Sequence, residues 1–98
     1  MTLEEAAACL AELGHAKRLK IFKLLVSCGE QGIETGKIAD KLAIPNSTLS
    51  HHLRKLAQVD LIVQCQDKQK IFCKPNFTTL DKTIIFLTKN CCEMKQED

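Results

Sequence analysis

These 98 residues contain no apolar run near the roughly 20 that span a bilayer, so no transmembrane helix is expected. The opening MTLEEAAACLAEL carries acids where a secretory signal carries positive charge, and the chain is expected to stay in the cytoplasm. There is no C-x-x-C, and His15, His51 and His52 stand at no finger spacing from a cysteine, so no structural zinc is expected. Internal repeats, low-complexity tracts and linkers are missing too. A phosphate loop and a nucleophile–base–acid set are also missing, and an enzyme is not expected. What the chain does have is six cysteines. In a reducing compartment these point to metal binding, redox work or buried thiols rather than to disulfides.

With 45% apolar and 27% charged residues, the composition is that of one globular domain over 1–98. The net charge of +2 does not announce a nucleic-acid binder, but its distribution is uneven. Acids gather at Glu4, Glu5 and Glu12 and in the tail at Glu93, Glu97 and Asp98, whereas none occurs from Ser47 to Arg54. Within NSTLSHHLRKLA (46–57), Leu49, Leu53 and Leu56 fall at i, i+4 and i+7 and make one apolar stripe. Ser47, Ser50, His51 and Arg54 gather opposite it. Hydroxyls, imidazole and guanidinium without a carboxylate suit phosphates and base edges. Ordinary solvated helix surface is the competing reading of this window alone.

The flanking elements decide between the two. A first helix is expected over 3–13, capped by Thr2, with Leu3, Ala6, Leu10 and Leu13 inward and Cys9 beside them. A second, the core helix, runs from His15 to Cys28, and CGEQG (28–32) makes a turn. A short third helix spans Thr35 to Leu42, with Thr35 as its cap. Pro45 disfavours the α conformation at Ile44, so a new helix restarts at Pro45 or Asn46. LIVQCQ (61–66) and KIFCK (70–74) read as a hairpin with a charged tip. A last helix opens at Asn76 or Thr78 and runs to about Glu93, with more apolar surface than one small core covers. That excess predicts a symmetric dimer. The expected fold class is mainly α with a small β-hairpin wing, a winged helix-turn-helix in the order α-α-α-α-β-β-α.

GHAKRLKIFKLL (14–25), IADKLAIPNSTLSHHLRKL (38–56) and LIVQCQDKQKIFCK (61–74) together resemble the ArsR/SmtB family of bacterial winged-helix repressors. The likeness covers nearly the whole chain and includes the Ser-x-His-Leu run at Ser50, His52 and Leu53. Ala16 replaces the family's proline, while Asp60 and Lys68 stand where glycine is common, and Gln69 where arginine is. The resemblance implies a homodimer joined through its first and last helices, with recognition helices in successive major grooves about 34–36 Å apart. It also implies a DNA-facing set of Ser47, Thr48, Ser50, His51 and Arg54, with Lys68 and Lys70 as wing phosphate ligands. His52 is either a phosphate donor or a buried structural residue.

The family's inducer sites are tested residue by residue. ETGKIAD (34–40) has no cysteine for one arsenic arrangement, and no histidine follows His52 for the zinc arrangement. KNCCE resembles the terminal Asn-Cys-Cys of a subgroup that senses trivalent arsenic, which implies As(III), or Sb(III), on Cys91 and Cys92. A third thiolate is needed, and Cys9 is the first candidate, with Cys73 second. Cys28 and Cys65 read as core and surface residues. Two alternatives stay open: a thiol redox or persulfide sensor on the same scaffold, and a winged helix used only for protein contacts.

Overall fold

The computed structural model, which describes residues 1–94, is a winged helix-turn-helix. Its helices are α1 (Leu3–Leu13), α2 (Ala16–Cys28), α3 (Thr35–Leu42), α4 (Asn46–Gln58) and α5 (Phe77–Thr88). Its strands are β1 (Ile33–Glu34), β2 (Ile62–Asp67) and β3 (Lys70–Pro75), in the antiparallel order β1-β3-β2. A 3-10 turn, Gly29–Gln31, leads into β1. The expected hairpin is thus the larger part of a three-stranded sheet. The third strand escaped the sequence because two residues are too short to show a period.

The core is built on α2, which lies under everything else. Ile21 and Leu25 are fully buried and meet Ile38 from α3, Leu49, Leu53 and Leu56 from α4, and Leu61, Ile62 and Cys73 from the sheet. Fully burying one such leucine stabilises the fold by about 1.5–3 kcal/mol, so the α4 stripe is a substantial part of the whole. Leu19 and Val26 of α2 remain exposed, so not all of its apolar residues enter the core.

Three local expectations are corrected. On α1 the inward residues are Ala6 and Cys9, while Leu3 and Leu10 face out. Small side chains let α1 lie close on its neighbours; Leu3 and Leu10 are left on the far side, while Leu13 packs partly against the core as expected. At α3 the N-cap is Glu34, which sits in extended backbone at the end of β1, and Thr35 is already helical. At the far end α5 stops at Thr88, short of Glu93, although Asn76 caps its start as expected by accepting the Thr79 N–H. The first helix carries the fuller cap, a Thr2–Glu5 box in which each side chain accepts the other's backbone N–H.

The turns show how neighbouring elements are held apart. Between α3 and α4, Ala43 adopts the left-handed conformation (φ 53°), and the Ile44 N–H reaches back to the Ala39 carbonyl at 3.1 Å. Pro45 then fixes an extended entry into α4. After α4, Asp60 (φ 60°) reverses the chain, and the Leu61 N–H bonds the Leu56 carbonyl at 3.1 Å. Gly32 has φ 74° with ψ −178°, a region only glycine enters easily, and an added Cβ would lie 2.8 Å from the Cys73 carbonyl oxygen. Gly32→Ala is therefore expected to cost about 1–3 kcal/mol. Chemical denaturation should show the midpoint falling at unchanged slope, whereas Gly36→Ala, where nothing lies near, should leave it almost unmoved.

Candidate nucleic-acid interface

Burial of Leu49, Leu53 and Leu56 fixes the roll of α4 and so determines what it shows to solvent. Asn46, Ser47, Ser50, His51 and Arg54 are exposed, while Thr48 is half-buried. The residues expected on the face are therefore brought together on it, apart from Thr48, which lies at its margin. Asn46 joins them. It was missed because the helix start could not be fixed to one residue, and its exposure depends on that start.

Beside α4 runs a groove of about 520 Å³ that reaches the wing and the N-terminus of α3. Thr35, Ser50, Arg54, Gln64, Gln69 and Lys70 line it. Lys70 thus lines the wing side of the groove and Arg54 the recognition-helix side. Glu34 is the one carboxylate on the walls. No side chain caps the first turn of α3, so its backbone N–H groups are left for another acceptor. Such a cleft, cationic at two corners and lined with amide and hydroxyl groups, matches the chemistry of a nucleic-acid backbone. The sequence pointed to the groove's α4 wall and, on the wing, to Lys70. Thr35, Gln64 and Gln69 reach it through strand pairing, which leaves no local pattern.

Lys68 sits at the tip of the wing, first of the two residues joining the Asp67–Lys70 pair, with φ 59°. That is the left-handed region, which a side chain with a Cβ enters at a cost. The glycine missing from this position is thus a true conformational departure.

Behind the face, three imidazoles crowd together. The His52 ring lies 5.1 Å from that of His15, the N-cap residue of α2, and 5.8 Å from that of His51. His52 is only 5% exposed, and its Nδ1 has no hydrogen-bond partner. Of the two roles open to it, the buried one is realised. Burial lowers its pKa first, and His15, Arg18, His51 and Lys17 lower it further. Arg18 itself pairs with Glu12, which ties α2 to α1.

The cysteines divide sharply. Cys9 is 2% exposed and its thiol donates to the Val59 carbonyl at 3.5 Å, so it points under α4. Cys73 is fully buried beneath the sheet, where burial pushes its thiol up and Gln64 donates to its sulfur. Cys28 is half-buried and Cys65 exposed. Cys91 and Cys92 are both exposed and lie on a turn past the end of α5, their sulfurs 2.7 Å apart. Contact with Cys92 raises the Cys91 thiol above its ordinary value. Among the described residues no group of three His, Cys, Asp or Glu side chains is placed to hold an ion. The structure therefore does not bring Cys9 or Cys73 to the Cys91–Cys92 pair within one chain. α1 meets α5 near Thr83, whose hydroxyl donates to the Met1 sulfur, and α5 carries the pair onward from there.

Fold and face together define a winged-helix domain of the helix-turn-helix class. A family model described as a helix-turn-helix domain matches residues 13–65, and the chain belongs to that family. No curated protein matches the sequence significantly. Among solved structures, NolR from Sinorhizobium fredii is 29% identical, with a TM-score of 0.69 over 88% of this chain and 83% of that one. An ArsR-like transcriptional regulator from Rhodococcus sp. RHA1 is 22% identical, with a TM-score of 0.79 over 92% of this chain and 82% of that one. The homodimeric winged helix-turn-helix domain of Mb0332 from Mycobacterium bovis, a possible ArsR-family regulator, is 15% identical. Its TM-score is 0.71 over 98% of this chain and 90% of that one. No helix among the described residues is long and apolar enough to cross a membrane.

Two outcomes follow from this geometry. Lys68→Gly relieves the tip and should raise stability by about 0.5–1 kcal/mol. If Lys68 meets a phosphate, the same change should flatten the salt dependence of DNA binding by about one unit, so melting and salt titration test the two roles separately. For His52 the folded pKa lies below the unfolded 6.5, so the folded state binds fewer protons. Its contribution is complete above pH 6.5 and is lost as pH falls through the lower folded value. Melting temperature should drop as pH falls below about 6.5, and His52→Leu should flatten that drop.

Proposed function

We propose that the protein is a homodimeric, cytoplasmic transcriptional repressor of the ArsR type. It binds double-stranded operator DNA and is released when As(III) or Sb(III) binds Cys91 and Cys92. The observation that carries the DNA reading is the fixed roll of α4. Its leucines are locked into the core, and Ser47, Ser50, His51 and Arg54 stand outward beside a groove closed by Lys70. The exposed apolar residues Leu3 and Leu10 of α1 and Ile84, Ile85 and Leu87 of α5 support the dimer. The homodimeric state of the Mb0332 domain supports it as well.

The arsenic reading rests on the paired, exposed sulfurs of Cys91 and Cys92. Thiolates select soft centres, and among the described residues no tetrahedral donor set for zinc is assembled. The ion acts by linkage: if it favours a dimer geometry that misaligns the two α4 helices, it weakens DNA binding by the same factor. The same sulfur contact also favours a second reading, a redox or persulfide sensor. Neighbouring residues have Cα atoms about 3.8 Å apart, below the usual disulfide range, so a bridge between them would be strained and readily reduced.

Titration of the reduced protein on DNA from upstream of its own gene tests these readings. Binding is expected with a steep salt slope, and Arg54→Ala should cost about 1–3 kcal/mol. A binding signal indifferent to salt and to Arg54 would favour a protein-contact module instead. Arsenite should release the DNA under full reduction, and the double variant Cys91→Ser, Cys92→Ser should not respond. Release by polysulfide alone, reversed by reductant, would establish the redox form.

A further inference from the structure

Resting on the DNA reading above, we propose that Ile71, near the tip of the wing, is a specificity-determining residue that excludes G·C base pairs from the DNA flanking each α4 contact. Strand register carries the inference. Ile71 pairs with Gln66 and Cys73 with Gln64, so the two β3 side chains share one face of the sheet. Cys73 is fully buried under that face, whereas Ile71 is 42% exposed. The core ends between them, and the apolar face continues past it toward the tip. There Ile71 lines the same groove as Arg54 and Lys70.

Single exposed isoleucines are common on protein surfaces, and it is the place of this one that gives it a role. The amides beside it are already engaged within the wing. Gln64 donates to the Cys73 sulfur at 3.7 Å, and Gln66 donates to the Lys68 carbonyl at 3.3 Å. Among the residues lining the groove, Ile71 is the large apolar one left exposed.

Docking geometry decides what it meets. With α4 in a major groove, the adjoining backbone strand lies in the cleft between Arg54 and Lys70, whose charges match its phosphates. The wing then stands on the far side of that backbone, over the neighbouring minor groove. The floor there carries adenine N3 and thymine O2 acceptors at A·T pairs, and G·C pairs add the guanine amino donor. That amino group projects toward a seated side chain, and an isoleucine offers it no acceptor. Shutting it away from water unpaired costs binding. Ile71 therefore disfavours G·C through both shape and an unmet hydrogen bond.

The test uses the full chain and a duplex cut to its footprint on DNA from upstream of its own gene, with affinity read by fluorescence anisotropy across a salt series. Replacing flanking adenines by 2-aminoadenine adds the minor-groove amino group and keeps the major-groove edge. Binding should weaken about tenfold, and replacing flanking guanines by inosine should strengthen it. Ile71→Thr keeps the β-branched shape and supplies an acceptor. It should lower affinity for the unmodified duplex about 5–10-fold at unchanged salt slope, because an apolar contact releases no counterion. The same variant should lose most of the response to 2-aminoadenine, while Ile71→Val keeps it. Lys70→Gln should instead flatten the salt slope by about one unit and keep the response. Since Ile71 is partly exposed, near-unchanged melting curves are expected and show that the variants fold. An equal response in the native protein and in Ile71→Thr would overturn the assignment and leave DNA binding standing. No response at any flanking position would overturn the placing of the wing over the minor groove. Absent binding, or binding indifferent to salt and to Arg54→Ala, would overturn the DNA reading and this proposal with it.

Discussion

The seating of α4 on α2 is the constraint on which the other features depend. Leu49, Leu53 and Leu56 enter the same core as Ile21 and Leu25, and every one of these is nearly or wholly out of solvent. A helix has only one rotation that buries residues at i, i+4 and i+7 together, so the opposite residues have no freedom to turn inward. The outward serines, His51 and Arg54 are thus consequences of the leucines. The groove beside them depends on the same contact, since its far wall is a sheet that packs on α2 through Cys73 and Ile33.

That core is economical, and polar groups inside it are few. His52 is one of them, held neutral by burial and by the cations around it, with one ring nitrogen unpaired. An unpaired buried nitrogen has a cost, and placing it directly behind the outward face of α4 links the stability of that helix to proton concentration. The other end of the molecule is organised differently. There α5 leaves Ile84, Ile85 and Leu87 exposed, which is the surface a second copy would cover. The helix stops soon after, and its cysteines lie on the turn beyond it. The α4 face and the cysteine pair thus belong to opposite kinds of structure: a locked helix face and an open turn.

Legibility followed the range of the interactions. The five helices could be read because each has its own period and punctuation: the Thr2–Glu5 box, the Pro45 interruption and the Asn76 cap are all local. The wing was legible through its two β-compatible runs. Where the reading failed, the deciding contact was distant in sequence. Cys9 looked available as an ion ligand from its helix position, but its burial is set by Val59, fifty residues away. Leu3 and Leu10 looked like an inward stripe, but the close approach of α1 selects Ala6 and Cys9 for the core.

By itself, then, the sequence determined the order of elements, the acid-free face of the recognition helix and the presence of one cysteine doublet, since periodicity, capping and composition act within a few residues. Only the tertiary structure decided which thiols are free to react, where β1 closes the groove, and that His52 is buried. Those outcomes depend on which surfaces the core has room to cover, and that is settled only when all the elements compete for the same small interior.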